Sequence, residues 1–243
     1  MKKRLTIYID GRYLKVDAKI AEVITPGVFQ GDGVFETMLA IGHKVFDVKE
    51  HLRRLHASFK GAKVSAQIIQ RVVEDNGFDV ARVRVLAWRE GRQNHVAVMA
   101  LPYRFPTKKI FQVCLIKTNR PASSRFANKK SLDYKLFADA YTQACSKGFD
   151  EVLLVNQKGY VFEASRGNVF IFTGGQLITS PLSSGCLNGI TRRQLIRAAQ
   201  RMGIPVLQKN LTPAMIQLAQ EVFLTNSLIG IRPVKLSLTF LPR

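Results

Sequence analysis

Residues 163–193 read EASRGNVFIFTGGQLITSPLSSGCLNGITRR. Glu163 falls inside YVFEAS, an alternating and largely apolar run of strand character. A carboxylate there must sit at an exposed edge or pair with something positive, because burying it alone is costly. Asn168 leads into a second strand, NVFIF, and Gly174-Gly175 turns the chain into a third, QLITS. At the far end of the stretch Gly189-Ile190-Thr191 marks a helix start. Thr191 reads as the N-cap, Leu195, Ile196, Ala199 and Met202 recur on one face, and Gly203 ends the helix. The free N–H groups and dipole of such a start favour a phosphate, and Arg192 and Arg193 add charge nearby. An ordinary capped helix has the same signature.

Outward from this stretch, strand-like and helix-like segments alternate. RLTIYID reads as a strand, and GVFETMLAIGHKVFDV as two strands joined at Gly42-His43. KEHLRRLHASFKGA places Leu52, Leu55 and Phe59 at helical spacing, and SAQIIQRVVEDNG is a second helix ended by Asn76-Gly77. VRVLAW, HVAVMALPY and IFQVCLIKT are further strands. The polar run NRPASSRFAN, residues 119–128, reads as a linker between residues 1–118 and 129–243. Beyond it come a helix, LFADAYTQACSKG, the strand EVLLVN and the stretch quoted above. A short helix opened by Thr212-Pro213 and the strand EVFLTNS turning into IRPV complete the chain. The pattern predicts mixed α and β in two unequal blocks.

Composition narrows the function classes. The 243 residues are 47% apolar, and no run approaches the roughly 18 residues of a membrane span. The basic start MKKRLTIYIDGRY is broken by Asp10, which favours a first strand over a secretory signal. Three scattered cysteines, Cys114, Cys145 and Cys186, lack CxxC spacing, so neither a disulfide framework nor a zinc site is expected and a reducing cytoplasm is the simplest compartment. The net charge of +20 is spread along the chain without a basic tail, a finger spacing or an aromatic–basic run. That distribution fits a small anionic ligand better than nucleic acid.

Two more candidates carry chemistry. NKKSLDYK at 128–135 holds three lysines. A lysine that reacts with a carbonyl needs partial burial or a neighbouring cation, and the local text offers both to Lys130 without excluding solvated surface. Thr225-Asn226-Ser227 ends an apolar strand, where hydroxyls either turn the chain or hold an anion.

In order along the chain, a lysine, an acid about thirty residues later, a helix-start GIT and a strand-end TNS form a recognisable set. EASRGNVF (163–170), LIT (177–179) and GCLNGITR (185–192) carry it, with FQGDGVFET (29–37) and HLRRL (51–55) earlier. The chain resembles the class IV, or fold-type IV, pyridoxal-phosphate enzymes over nearly its whole length. The resemblance implies an α+β fold of two domains, an N-terminal α/β sandwich and a larger C-terminal β-barrel-like domain with helices. It also implies pyridoxal 5'-phosphate as cofactor and a homodimer with no membrane contact.

Residue by residue, the resemblance makes Lys130 the catalytic lysine that binds the cofactor's aldehyde. Glu163 is the acid on the pyridine nitrogen. Arg54, Gly189, Ile190, Thr191 and Thr225 fall to the phosphate, Leu187 to a ring face and Tyr134 to the hydroxyl side. Asp133 stands where the family usually has Asn, and capping of the next helix is its expected role. Within the family, GDGVFET, KSLxY and LTNSLIGIRPV look most like 4-amino-4-deoxychorismate lyases, which release 4-aminobenzoate and pyruvate for folate biosynthesis. Lys130 would then act by Schiff-base exchange and proton transfer. Thr37, Arg89 and Asn226 are the expected substrate contacts, although REGRQNH replaces the RGxGxRG that follows the arginine in lyases. A class IV aminotransferase acting on D-amino acids or branched-chain amino acids is the alternative.

Overall fold

Alternating apolar residues in RLTIYI and RYLKVD produce β1 (Arg4–Ile9) and β2 (Arg12–Asp17), an antiparallel hairpin turned at Asp10 and Gly11. The computed structural model describes residues 4–19, 32–119, 124 and 127–242. The FQG of FQGDGVFET and most of the expected linker at 119–128 lie outside the described residues. The chain divides into two compact units, Met1–Phe105 with Lys129–Lys135, and Pro106–Asn128 with Leu136–Arg243.

The first unit adds β3 (Gly33–Ile41), β4 (Lys44–Val45), α1 (Val48–Ser58), α2 (Ala66–Asn76), β5 (Val80–Glu90) and β6 (Gln93–Pro102). Its six-stranded sheet runs β2-β1-β6-β5-β3-β4. Ser65 caps α2 by accepting a hydrogen bond from the Ile68 N–H, and Gly77 ends it at φ 58°. Ile69, Val72 and Val73 of α2 are buried with Met38, Val83, Val85 and Val98 of the strands. Residues 130–132 are part of this unit because they pair with β3. The Phe35 N–H donates to the Lys130 carbonyl at 2.8 Å, and the Leu132 N–H to the Gly33 carbonyl at 3.0 Å. A Cβ at Gly33 would lie 2.5 Å from Leu132 Cδ1 and 2.8 Å from the Ala87 carbonyl, so only glycine lets this segment close in.

The second unit holds β7 (Phe111–Lys117), α3 (Lys135–Ser146), β8 (Glu151–Val155), β9 (Val161–Ala164), β10 (Asn168–Thr173), β11 (Gln176–Thr179), α4 (Ile190–Arg201), β12 (Val206–Gln208), α5 (Pro213–Gln217), β13 (Glu221–Asn226) and β14 (Gly230–Leu241). They form an eight-stranded sheet, β12-β11-β10-β13-β14-β7-β8-β9. The sheet curls, since Ala164 of β9 bridges to Gly167 just before β10 and Val161 bridges to Leu211. The architecture is α+β, with one sheet in each unit. The contact-defined units differ from the sequence division at 118 and 129, because β7 lies between β14 and β8 while 129–135 belongs with β3.

Two details of α4 depart from expectation. The N-cap is Gly189, so Thr191 is the second helical residue; a Cβ at 189 would collide with Asn168 Oδ1. Met202 is 74% exposed and leaves the apolar face to Leu195, Ile196 and Ala199.

One buried ionic cluster stands inside the first unit. Glu36, 2% exposed in the middle of β3, accepts hydrogen bonds from Arg54 Nε at 2.7 Å and Arg54 Nη2 at 2.5 Å. His51 Nδ1 lies 2.7 Å from the same carboxylate. Burial alone would raise the Glu36 pKa, but Arg54 and then His51 outweigh it and pull the carboxyl from 4.5 to about 2. Burial lowers the pKa of His51 despite its contact with Glu36. Both depressed values have one sign: the stability they contribute is complete above the unfolded-state pKa and is lost as pH falls through the folded one. The melting temperature should therefore decline below about pH 6.5 as His51 is charged, and more steeply between 4.5 and about 2 as Glu36 is protonated. Differential scanning calorimetry across that range checks this; a flat profile from pH 6.5 to 3 would count against it.

Candidate active site

Among the three lysines of NKKSLDYK, Lys129 and Lys135 are exposed and Lys130 is half-buried. The Lys130 Nζ lies 4.3 Å from the centroid of the Phe35 ring and 5.8 Å from that of Tyr134. Phe35 and Tyr134 meet edge to face at 5.2 Å, making an aromatic wall beside the amine. Arg54 and Glu36 belong to the same unit, and the charge of Lys130 reaches the buried His51. Asp133 is exposed, and its backbone N–H donates to the Ser131 hydroxyl.

Successive residues of β3 face opposite sides, so Thr37 shares the Phe35 face and Glu36 points the other way. Thr37 stands opposite Arg84 in the β3–β5 register. Arg84 is a further candidate that sequence reasoning did not single out. Its Nε and Nη1 are buried without a hydrogen-bond partner. Burial first, and then the neighbouring Arg82, lower its pKa to about 10, while Tyr134 opposes them. The signal was present in VARVRVLAW, where arginines interrupt an otherwise apolar strand. Arg89, the sequence-based choice, is exposed at the end of β5, with its Nε donating to Asn94 Oδ1 at 3.2 Å.

In the second unit Glu163 is 6% exposed although β9 ends the sheet, so its carboxylate is buried rather than solvated. Its Oε2 accepts the Leu187 N–H at 2.9 Å. The Leu187 carbonyl in turn accepts Asn168 Nδ2 at 2.7 Å. Leu187 itself is half-buried. Gly189 brings no capping side chain to α4, so the first N–H groups of the helix, those of Ile190 and Thr191, have no cap from it. Thr225, 1% exposed, has a buried Oγ1 without a partner and is the register partner of Asn168. Asn226 is engaged with backbone: its Nδ2 donates to the Arg166 carbonyl and its Oδ1 accepts from Leu228 and Ile229. These bonds make it the former of the turn after β13 and weigh against the expected substrate contact.

The residues present fit pyridoxal phosphate. A half-buried amine beside aromatic rings suits an aldehyde, and a buried carboxylate suits a protonated ring nitrogen. Within the second unit, an uncapped helix start and a buried unpartnered threonine hydroxyl suit a phosphate. No cluster of metal-ligating side chains occurs among the described residues, and no described helix is long and apolar enough to cross a membrane.

Comparison with known proteins bears on the same chemistry. The family model for amino-transferase class IV matches residues 33–236. A Methanocaldococcus jannaschii protein, provisionally named a branched-chain-amino-acid aminotransferase, is 30% identical over 95% of this chain and 87% of its own. The T.th. branched-chain amino acid aminotransferase with pyridoxamine 5'-phosphate superposes with a TM-score of 0.80 at 27% identity, covering 97% of this chain and 86% of that one. A Legionella pneumophila structure, provisionally named a 4-amino-4-deoxychorismate lyase, gives 0.78 at 27% identity over 88% and 85%. Taken with the fold and the residues that fit the cofactor, the match across β3 to β14 shows that this chain belongs to amino-transferase class IV, a family of pyridoxal-phosphate enzymes.

Proposed function

We propose that the chain is an aminotransferase that exchanges an amino group between an α-amino acid and a 2-oxo acid. The observation that supports a carboxylate-bearing substrate is that the unit holding the half-buried Lys130 amine also holds Arg84, whose Nε and Nη1 are buried without an acceptor. Buried N–H groups without an acceptor are costly unless a ligand supplies one, and a substrate carboxylate is such an acceptor. The branched-chain aminotransferase names of its relatives point the same way.

When bound, pyridoxal phosphate supplies an electron sink for the bonds at the amine-bearing carbon. Lys130 Nζ would hold the aldehyde at rest and, once displaced by a substrate amine, move a proton at that carbon. Glu163 would hold the proton on the ring nitrogen, with the Leu187 N–H fixing one carboxylate oxygen. Arg54, the N–H groups of Ile190 and Thr191 and the Thr225 hydroxyl would bind the phosphate. Leu187 would cover a ring face, Tyr134 would lie on the hydroxyl side, and Thr37 and Arg84 would orient the substrate. The lyase reading stands second, favoured by the Legionella structure and by the KSLDY and GDGVFET runs.

Purified protein loaded with pyridoxal phosphate should release at most one equivalent of 2-oxo acid from leucine, isoleucine, valine or D-alanine alone, and turn over repeatedly only when 2-oxoglutarate is present as acceptor. Release of pyruvate and 4-aminobenzoate from aminodeoxychorismate without an acceptor would replace the transaminase with the lyase. Lys130→Ala should replace the absorbance band of the lysine–cofactor Schiff base by that of the free aldehyde, whereas Lys129→Ala and Lys135→Ala should retain the Schiff-base band. Arg84→Gln should raise KM for the carboxylate-bearing substrate by ~10-fold or more, the scale of a lost charge-assisted hydrogen bond; an unchanged KM removes Arg84 from the site. The homodimer implied by the family resemblance is part of the proposal, and sedimentation that finds only monomer would discard it.

A further inference from the structure

Asn168 opens β10 at 4% exposure, and its side chain is held in a narrow place. Its Nδ2 donates to the Leu187 carbonyl at 2.7 Å. Its Oδ1 occupies the space that a Cβ on Gly189 would need. The Leu187 N–H donates to Glu163 Oε2 at 2.9 Å, and the Leu187 carbonyl also accepts the Gly189 N–H at 2.9 Å. Both backbone groups of Leu187 are therefore tied, one to the carboxylate of Glu163 and the other to the amide of Asn168. Such ties fix the two backbone dihedrals of the residue, and with them the line of its N–H.

We propose that Asn168 is a positioning residue that acts through Leu187 on Glu163. The proposal rests on the reading of Glu163 as the partner of the cofactor's ring nitrogen. With the Leu187 carbonyl anchored by Asn168, the Leu187 N–H grips one carboxylate oxygen and sets the plane of the group. The other oxygen is thereby presented in a single direction. Fixing a reactive group by a second layer of hydrogen bonds removes the cost of ordering it when a ligand arrives. Gly189 belongs to the same device, because any larger residue there would push Asn168 off the Leu187 carbonyl.

Three variants of the full-length protein test this, with pyridoxal 5'-phosphate titrated into cofactor-free protein and followed by visible absorbance. Asn168→Asp keeps the size and the contact with Gly189 but replaces the donor facing the Leu187 carbonyl with an acceptor. It should weaken cofactor affinity by about tenfold or more, the scale of one lost hydrogen bond in a buried network. It should also shift the pH dependence of the cofactor's absorbance, which a purely structural role would leave in place. In the Glu163→Gln background, Asn168→Asp should add little to either change, because the residue it acts through is already altered. Asn168→Ala gives a packing control, with circular dichroism and the melting temperature reporting whether the variants remain folded.

Full affinity and an unshifted absorbance profile in Asn168→Asp would overturn the proposal. Independent, multiplying effects of the Asn168 and Glu163 substitutions would overturn it equally. Wild-type protein that binds no pyridoxal phosphate would instead remove the functional reading beneath it.

Discussion

The pairing of residues 130–132 with the open edge of β3 is the contact on which the first unit's chemistry depends. β4 covers only Ala40 and Ile41 of that edge, so Gly33 to Phe35 present unsatisfied backbone groups until this segment fills them. The pairing fixes the Lys130 backbone at Phe35 and brings its amine against the ring of that same residue. It needs a glycine at 33, because Leu132 sits where a side chain would be. β3 then serves two purposes through its alternation. Phe35 and Thr37 face one side, while Glu36 faces the other and fastens α1 through Arg54 and His51.

The second unit has an equivalent spine in β10. Its first residue, Asn168, is the register partner of Thr225 and reaches the loop that leads into α4. Gly167, immediately before it, lies so close to the Thr225 carbonyl that a Cβ would stand 2.8 Å away. Farther along, Phe170 stacks on Phe223 at 5.7 Å and Thr179 donates to the Val169 carbonyl at 2.7 Å. Glu163, the Leu187 loop, the α4 start and Thr225 are thus set by neighbours of one strand rather than by a flexible loop.

Much of the fold was legible because period-two and helical patterns are local properties of the text. β3, α1, α2 and β10 all emerge from apolar spacing and from Gly42, Gly77 and Gly174. The identity of the reactive-lysine candidate was not legible from composition, since burial of Lys130 depends on Phe35 and Tyr134, which meet only after β3 is paired. The helix start was misplaced by two residues because the collision between Asn168 and any side chain at 189 is a tertiary fact. Arg89 was chosen by its place in the family resemblance, and Arg84 was not weighed. The rule applied to Glu163, that a charge inside an apolar strand needs a partner, would have pointed to Arg84 as well. Asn226 ended a strand too, and its hydrogen bonds went to a turn.

The partner of β3 also has a consequence for biosynthesis. Ser131 is 98 residues downstream of Gly33, whose carbonyl it contacts. Translation delivers the N-terminal sheet first, and closing so long a loop is entropically slow to reward. A nascent chain that has emerged only as far as β6 can pair its six strands but leaves the β3 edge exposed and carries no Lys130 amine at all. The ribosome therefore releases the strands of this sheet early and the segment that completes the β3 edge late.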